Sequence, residues 1–342
     1  MTTQVLIEQC MKSKILRKGV KVHYALSWRA WKLVPVSWRS SSPGMAFGNH
    51  IQMLVRLRDP RKQSFGTFFL RNRPELELML RLLDQKPVGS KLDLAVVGCS
   101  KGAEVYSIVY TLRSGRPDLR LNLRAVDISP DILEFAAAGV YSCDNADELS
   151  APAQEGTTAR NHASWTTHRD QSGSIFERVT DSEMAAMFEF ENGRAKIRPW
   201  LKEGITWLRG DACGRELLSL LGPQDMVVAN RFLCHMAPPA AEACLRSFAR
   251  LVKAGGYLFV CGVDLDVRTK VAREMGWKPV MDLLREVHEG DTSLTRDWPL
   301  KYWGLEPFCD DRRDWKLRYA SVFQIPQGSR LDDVVEAGQH FN

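Results

Sequence analysis

No apolar run in this 342-residue chain approaches the roughly 18–20 residues that a membrane-spanning helix needs. The N-terminus also lacks the short apolar core and small-residue cleavage site of a secretory signal, so the expected compartment is the cytoplasm, with a peripheral place at the membrane as the alternative. Its eight cysteines, at 10, 99, 143, 213, 234, 244, 261 and 309, never fall into C-x-x-C spacing. The seven histidines form no H-x-x-x-H or H-E-x-x-H pair, so reduced thiols and no metal are expected. Two phosphate-cradling signatures are missing as well, G-x-G-x-x-G and G-x-x-x-x-G-K-[ST], which disfavours an NAD or ATP site. There is no internal repeat and no low-complexity segment. With 44% hydrophobic and 26% charged residues, the composition is that of a globular protein rather than a disordered one.

Acidic residues are scarce at the start of the chain. Up to Arg73 there are fourteen Lys or Arg against Glu8 and Asp59 only, within a chain of net charge +6. A basic head at 1–63, expected to be helical and carrying Trp28, Trp31 and Trp38, suits an acidic partner protein or an anionic membrane surface; nucleic acid is the least expected partner. A solvated helical face whose tryptophans pack on the core is the plainer alternative.

From residue 91 strands and helices alternate, the pattern of a mostly parallel sheet covered on both faces. Residues 91–98 (KLDLAVVG) read as a first strand ending at glycine, followed by a helix over 101–113. Leu119, Leu121, Leu123 and Ala125 alternate with polar residues and deliver Asp127 to the end of a second strand. Ser129 then caps a helix, with Pro130 at its first position and Gly139 just past its end. Residues 144–180 are polar and aperiodic and read as a loop or insertion. Further strands are expected at 205–208, 225–229 and 257–260, helices at 215–221 and from Pro238 to about Lys253, and a closing strand at 319–324. The body is thus placed at 64–325, with an aromatic-rich segment at 290–316 and a polar tail at 326–342.

In such a sheet the ligand sits outside the carboxyl ends of the strands. Gly98-Cys99-Ser100-Lys101-Gly102 joins the first strand to its helix, and its glycines let a ligand approach the backbone closely. Asp127 can accept hydrogen bonds from both hydroxyls of a ribose, and Asp211 from an exocyclic amine of adenine. A turn that needs glycine for backbone reasons alone is the competing explanation of the first motif.

Several motifs in this order resemble those of the CheR-type methyltransferases, which esterify glutamates of bacterial chemoreceptors. Thr67-Phe68-Phe69-Leu70-Arg71 is similar to T-x-F-F-R, and residues 99–107 (CSKGAEVYS) to C-S-T-G-E-E-P-Y-S. Residues 125–129 (AVDIS) are similar to A-T-D-I-S, residues 138–141 to the R-x-G-V-Y that follows, 197–207 to V-x-P-x-L-R-x-x-V-x-F, and 225–236 to D-x-I-F-C-R-N-V-x-I-Y-F. The resemblance, covering about 64–262, implies the doubly wound, Rossmann-like α/β fold of class I methyltransferases and S-adenosyl-L-methionine (SAM) as cofactor. It implies that Thr67, Arg71, Glu104, Asp127, Asp211 with Ala212, and Asn230 with Arg231 surround that cofactor beside Gly98 and Gly102. Arg71 is also a candidate to face the methyl acceptor, with a surface cation near Glu75 as the alternative; for Glu104 the alternative is a carboxylate stabilised by a helix N-terminus, and for Tyr106 it is core packing.

The departures bear on the acceptor. Ala229-Asn230-Arg231 stands where the family has C-R-N, so the polar pair is exchanged in order, and Phe65 replaces a frequent asparagine. His235 replaces a tyrosine, and a histidine suits an acceptor that must lose a proton; a histidine making one backbone hydrogen bond is the alternative. The glycine-rich loop with which some relatives dock a receptor tail is missing. The aromatics of 298–308 either cover the site or simply pack. Three readings follow: a protein carboxyl methyltransferase, a methyltransferase acting on a small molecule or another macromolecule, and a cofactor-binding protein without turnover.

Overall fold

The computed structural model describes residues 14–58, 65–143, 174–291, 298–301 and 303–326. Three helices open it, α1 (Lys14–Leu33), α2 (Val36–Arg39) and α3 (Ser42–Arg58). After α4 (Arg73–Leu82) the chain enters the sheet with β1 (Lys91–Val97), crosses through α5 (Ala103–Gly115) to β2 (Arg120–Asp127), and passes α6 (Pro130–Ala138) to a short β3 (Val140–Ser142). There follow α7 (Asp181–Met187), β4 (Phe188–Glu191), β5 (Arg194–Ile197), β6 (Ile205–Arg209), α8 (Leu217–Leu221) and β7 (Gln224–Val228). The last part comprises α9 (Pro238–Leu251), β8 (Val252–Phe259), α10 (Leu265–Glu274), β9 (Lys278–Pro279), α11 (Leu284–Glu289), α12 (Trp315–Tyr319) and β10 (Val322–Gln324).

Seven strands form one sheet in the order β6-β2-β1-β7-β8-β10-β9. β6, β2, β1, β7 and β8 are parallel, and β10 runs antiparallel between β8 and β9. The chain builds outward from β1 through β2 to β6, then returns to the other side of β1 with β7. The order therefore reverses at β1, and the crevice of a doubly wound sheet opens at the carboxyl end of that strand.

Alternation along β1 explains the two layers. Leu92, Leu94 and Val96 join a core with α4 and α5, whereas Ala95 and Val97 join a core with α8, α9 and α10. The expected cap of α6 is present: Ser129 Oγ accepts from the Ile132 N–H, and Gly139 closes the helix at φ 60°.

Several expectations are corrected. Tyr319 ends α12, so the closing strand starts at Val322. β8 begins at Val252 rather than 257, taking Gly255-Gly256 into a strand whose register with β7 is irregular between Gln224 and Met226. A second, three-stranded antiparallel sheet, β3-β5-β4, was not foreseen. Of the expected loop at 144–180, residues 144–173 lie outside the described residues, while 174–180 are a loop that packs on the core through Ile175, Phe176 and Val179: Phe176 stacks on Phe69 at 5.6 Å, and the Ile175 carbonyl accepts the Phe69 N–H at 3.0 Å. The tail from 327 lies outside them too.

The described head is helical and rests on the body. Trp298 packs edge-on against Trp31 at 5.5 Å, Gln52 donates to the Leu305 carbonyl, and Arg56 pairs with Asp264 at 2.6 Å.

Candidate active site

The turn after β1 is shaped by two non-helical backbone positions and one carboxylate. Gly98 has φ 72°, and a Cβ placed there would meet the Phe232 ring at 2.6 Å, so only glycine lets the turn lie this close. Ser100 adopts φ 49°, unusual for a residue with a side chain. It is held there because its N–H donates to Asp127 Oδ2 at 2.9 Å and its hydroxyl to the Phe65 carbonyl at 3.0 Å. Asp127 Oδ1 accepts from the Ser129 N–H at 3.2 Å. Two backbone donors thus fix a carboxylate that is only 5% exposed, and each oxygen keeps lone pairs for a ligand.

Asp127 lines a cavity of about 210 Å³ together with Gly98, Ser100, Asp211, Ala212 and His235. Phe65, Ile128, Phe232 and Met236 give it apolar walls. Asp211 is oriented by the Cys213 N–H, which donates to its Oδ1 at 2.9 Å.

A second, tighter cavity of about 60 Å³ adjoins the first and shares Gly98, Ser100 and Phe232 with it. Thr67, Arg71, Glu104, Asn230 and Arg231 line it, as the motifs imply. Glu75, Cys261 and Asp291 line it also, and none of these was foreseen. Asn230 ties the floor together: its amide nitrogen donates to Glu75 Oε1 at 2.8 Å and to Glu104 Oε1 at 2.9 Å, while its oxygen accepts the Cys261 N–H at 2.9 Å. Glu75 Oε2 is buried with no hydrogen-bond partner. Burial, and then the neighbouring Glu104, push the Glu75 carboxyl up to about 8 against the pull of Asn230. Burial raises Glu104 as well, opposed by Asn230 and Arg71.

Opposite this carboxylate pair stand three guanidinium groups around Asp291. Arg231 pairs with Asp291, Arg178 donates to it at 3.1 Å, and Arg71 Nε lies 4.0 Å away. Burial alone would lower Arg231, but Asp291 holds it above its ordinary value. Burial followed by repulsion from Arg231 lowers Arg71. The Nε atoms of Arg71 and Arg231 are buried without hydrogen-bond partners.

Most of the residues singled out from sequence therefore converge on two adjoining chambers, and three points need correction. Gly102 lines neither: it precedes α5 at φ 83°, where a Cβ would press on Ala136 and Trp207 at 3.1 Å, so it is a packing glycine. Arg71 is no surface cation; its side chain is 20% exposed, and its near carboxylate is Asp291. Arg71 and His235, both expected to be catalytic, sit in different chambers, His235 beside Asp127 and Asp211 with its ring 6.2 Å from that of Trp303. The exchanged pair is accommodated, since Asn230 bridges the glutamates and Arg231 reaches Asp291. Tyr106 is fully buried, its hydroxyl donating to the Ala136 carbonyl at 2.7 Å. No group of three or more metal-ligating side chains exists among the described residues, and no described helix is long and apolar enough to cross a membrane.

Residues 66–172 match the family model of the CheR methyltransferase SAM-binding domain. An uncharacterized 104.1 kDa protein of Rhodobacter capsulatus is 27% identical over 195 residues, which are 55% of this chain but only 17% of that protein. Among solved structures, the SAM-bound magnesium protoporphyrin IX methyltransferase of Synechocystis is similar at 13% identity and TM-score 0.32, over 71% of this chain and 85% of that one. The N-methyltransferase NodS of Bradyrhizobium japonicum, with S-adenosyl-L-homocysteine bound, gives 14% identity and TM-score 0.31, over 61% and 76% of the two chains.

Proposed function

We propose that this chain, which carries a CheR-type SAM-binding domain over residues 66–172, transfers the methyl group of SAM to a carboxylate oxygen of its acceptor. One observation carries the cofactor half of this reading. Asp127, fixed by the Ser100 and Ser129 amides, faces a cavity at the point where the strand order reverses. The residues fit the cofactor piece by piece. Asp127 would accept the ribose hydroxyls, Asp211 an adenine amine, and Ile128 and Met236 would flank the base. In the second chamber the Glu75–Asn230–Glu104 cluster suits an ammonium group, and Arg71 suits a carboxylate.

SAM supplies a methyl group on a positively charged sulfur, an activated leaving group. The protein's share is then mainly position and environment. Gly98, Ser100 and Phe232 border both chambers, so a cofactor with its nucleoside in one and its methionine part in the other would have its sulfonium beside these three residues. With SAM bound and Glu75 ionised, the three guanidinium groups balance the carboxylates of Asp291, Glu104 and Glu75, and the sulfonium leaves one net positive charge that favours an anionic acceptor. A carboxylate acceptor is already ionised and needs no base.

A second reading has an observation of its own. The unpartnered Oε2 of Glu75 would take a proton from a hydroxyl or amine acceptor. Radiolabelled methyl transfer into cell extract, followed by alkali treatment, separates the two. Label released as methanol supports the carboxyl ester, alkali-stable label supports the alternative, and no label on any component with SAM bound argues for a protein without turnover.

A further inference from the structure

Between residues 9 and 58 the chain contains ten Lys and Arg and no Asp or Glu. The structure arranges part of that charge beside exposed apolar surface. On α1 the inward face is fixed: Ser27 and Trp31 are buried, and the Trp31 ring packs against Phe47 of α3 at 5.9 Å. On the other side of the same helix Val22, Leu26 and Leu33 are 56%, 59% and 84% exposed. At about 100° per residue these three fall within about 40° of one another, roughly opposite Trp31. Lys18, Lys21, Arg29 and Lys32, all exposed, occupy the adjoining arc of about 80° on one flank. Just past the helix end Val36 and Trp38 add two further exposed apolar side chains, 78% and 42% exposed.

A solvated cationic face has no use for large aliphatic side chains in a row, and a nucleic-acid surface would meet them with phosphates. An apolar stripe flanked by cations, with a tryptophan just past the helix end, matches the headgroup and upper acyl region of a bilayer. We infer that the outward face of α1, together with Val36 and Trp38, docks the protein on an anionic phospholipid surface. Val22, Leu26 and Leu33 enter the headgroup boundary, while the flanking Lys and Arg pair with lipid phosphates and carboxylates. The head is clamped to the body by Arg56 with Asp264 and by Trp298 over Trp31, so docking brings the two chambers to the membrane with it. This inference does not rest on the methyl-transfer reading.

The full chain is sedimented with vesicles of phosphatidylcholine alone and of phosphatidylcholine with phosphatidylserine. Binding is expected to the anionic vesicles only and should weaken with added salt. Leu26→Glu should reduce partitioning at least about tenfold, since it removes one buried leucine and adds a like charge to the lipid. Lys18→Gln with Lys21→Gln should reduce it by about fivefold per charge removed. Thermal melting of each variant checks that the fold is kept. Absence of binding to either vesicle, equal binding to both, undiminished binding of Leu26→Glu, or retention by a homopolymeric RNA with vesicles left unbound would each overturn the inference.

Discussion

Replacing Glu75 by Gln should uncouple cofactor binding from proton release. In the free protein the Glu75 carboxyl is raised to about 8, so at pH 7 about nine-tenths of it is protonated. Burial sets this first and Glu104 next, with the Asn230 amide and Arg231 pulling down and Asp291 pushing up, and Arg71 lines the same chamber. The ammonium group of the cofactor's methionine end, entering beside Glu75, favours the carboxylate, so the folded-state value falls on binding and the proton leaves. The sign follows: the free form binds more protons than the complex, and affinity therefore rises with pH. The Glu75 contribution rises up to tenfold per unit below about pH 8 and flattens above it, which by itself makes binding at pH 6 about fifty-fold weaker than at pH 8. Glu75→Gln keeps the shape and the acceptor for Asn230 but has no proton to lose. The cofactor's own amino group titrates near pH 8 and Glu104 remains, so it is the difference between the two proteins that reports on Glu75. Calorimetry in buffers of different ionisation enthalpy counts the protons. About one proton released by the wild type and far less by the variant is expected at pH 7; equal release, or none, would refute the reasoning while leaving SAM binding itself intact.

Other outcomes follow from the same geometry. Gly98→Ala forces a side chain to φ 72° and into the Phe232 ring, so it should cost on the order of 1–2 kcal/mol in thermal unfolding and weaken SAM binding by displacing the shared wall. Asp291→Ala strands buried guanidinium groups and should lower stability by about 3–5 kcal/mol in urea denaturation. Gly102→Ala should lower stability with little direct effect on cofactor contacts, because Gly102 packs against Ala136 and Trp207 and lines neither chamber. Melting curves with and without cofactor separate these two effects.

What the sequence revealed and what it hid have a common physical basis. β1 was legible as a local apolar run and β2 as an alternation of apolar and polar residues, and Asp127 was legible because it ends the second. β4 and β5 are short, but their hairpin was readable and missed: Asn192-Gly193, at φ 49° and 73°, is its two-residue turn, and only β3 joins this sheet from a distance. Glu75 and Asp291 were missed because their partners are distant. Glu75 meets its hydrogen-bond partner 155 residues along the chain, and Asp291 meets Arg231 60 residues back, so no spacing rule connects them. Gly102 was overread, since a glycine needed by a ligand and a glycine needed by a neighbouring ring look the same in a string of letters.

The central claim is that Asp127 grips the sugar of SAM at the reversal point of the sheet. Titrating SAM into the wild type and into Asp127→Ala by calorimetry, with thermal melting to establish that both are folded, tests it directly. Losing two hydrogen bonds to a charged acceptor, about 1.5–3 kcal/mol each, predicts an affinity at least about a hundredfold weaker in the variant. Equal affinity in two folded proteins would contradict the account.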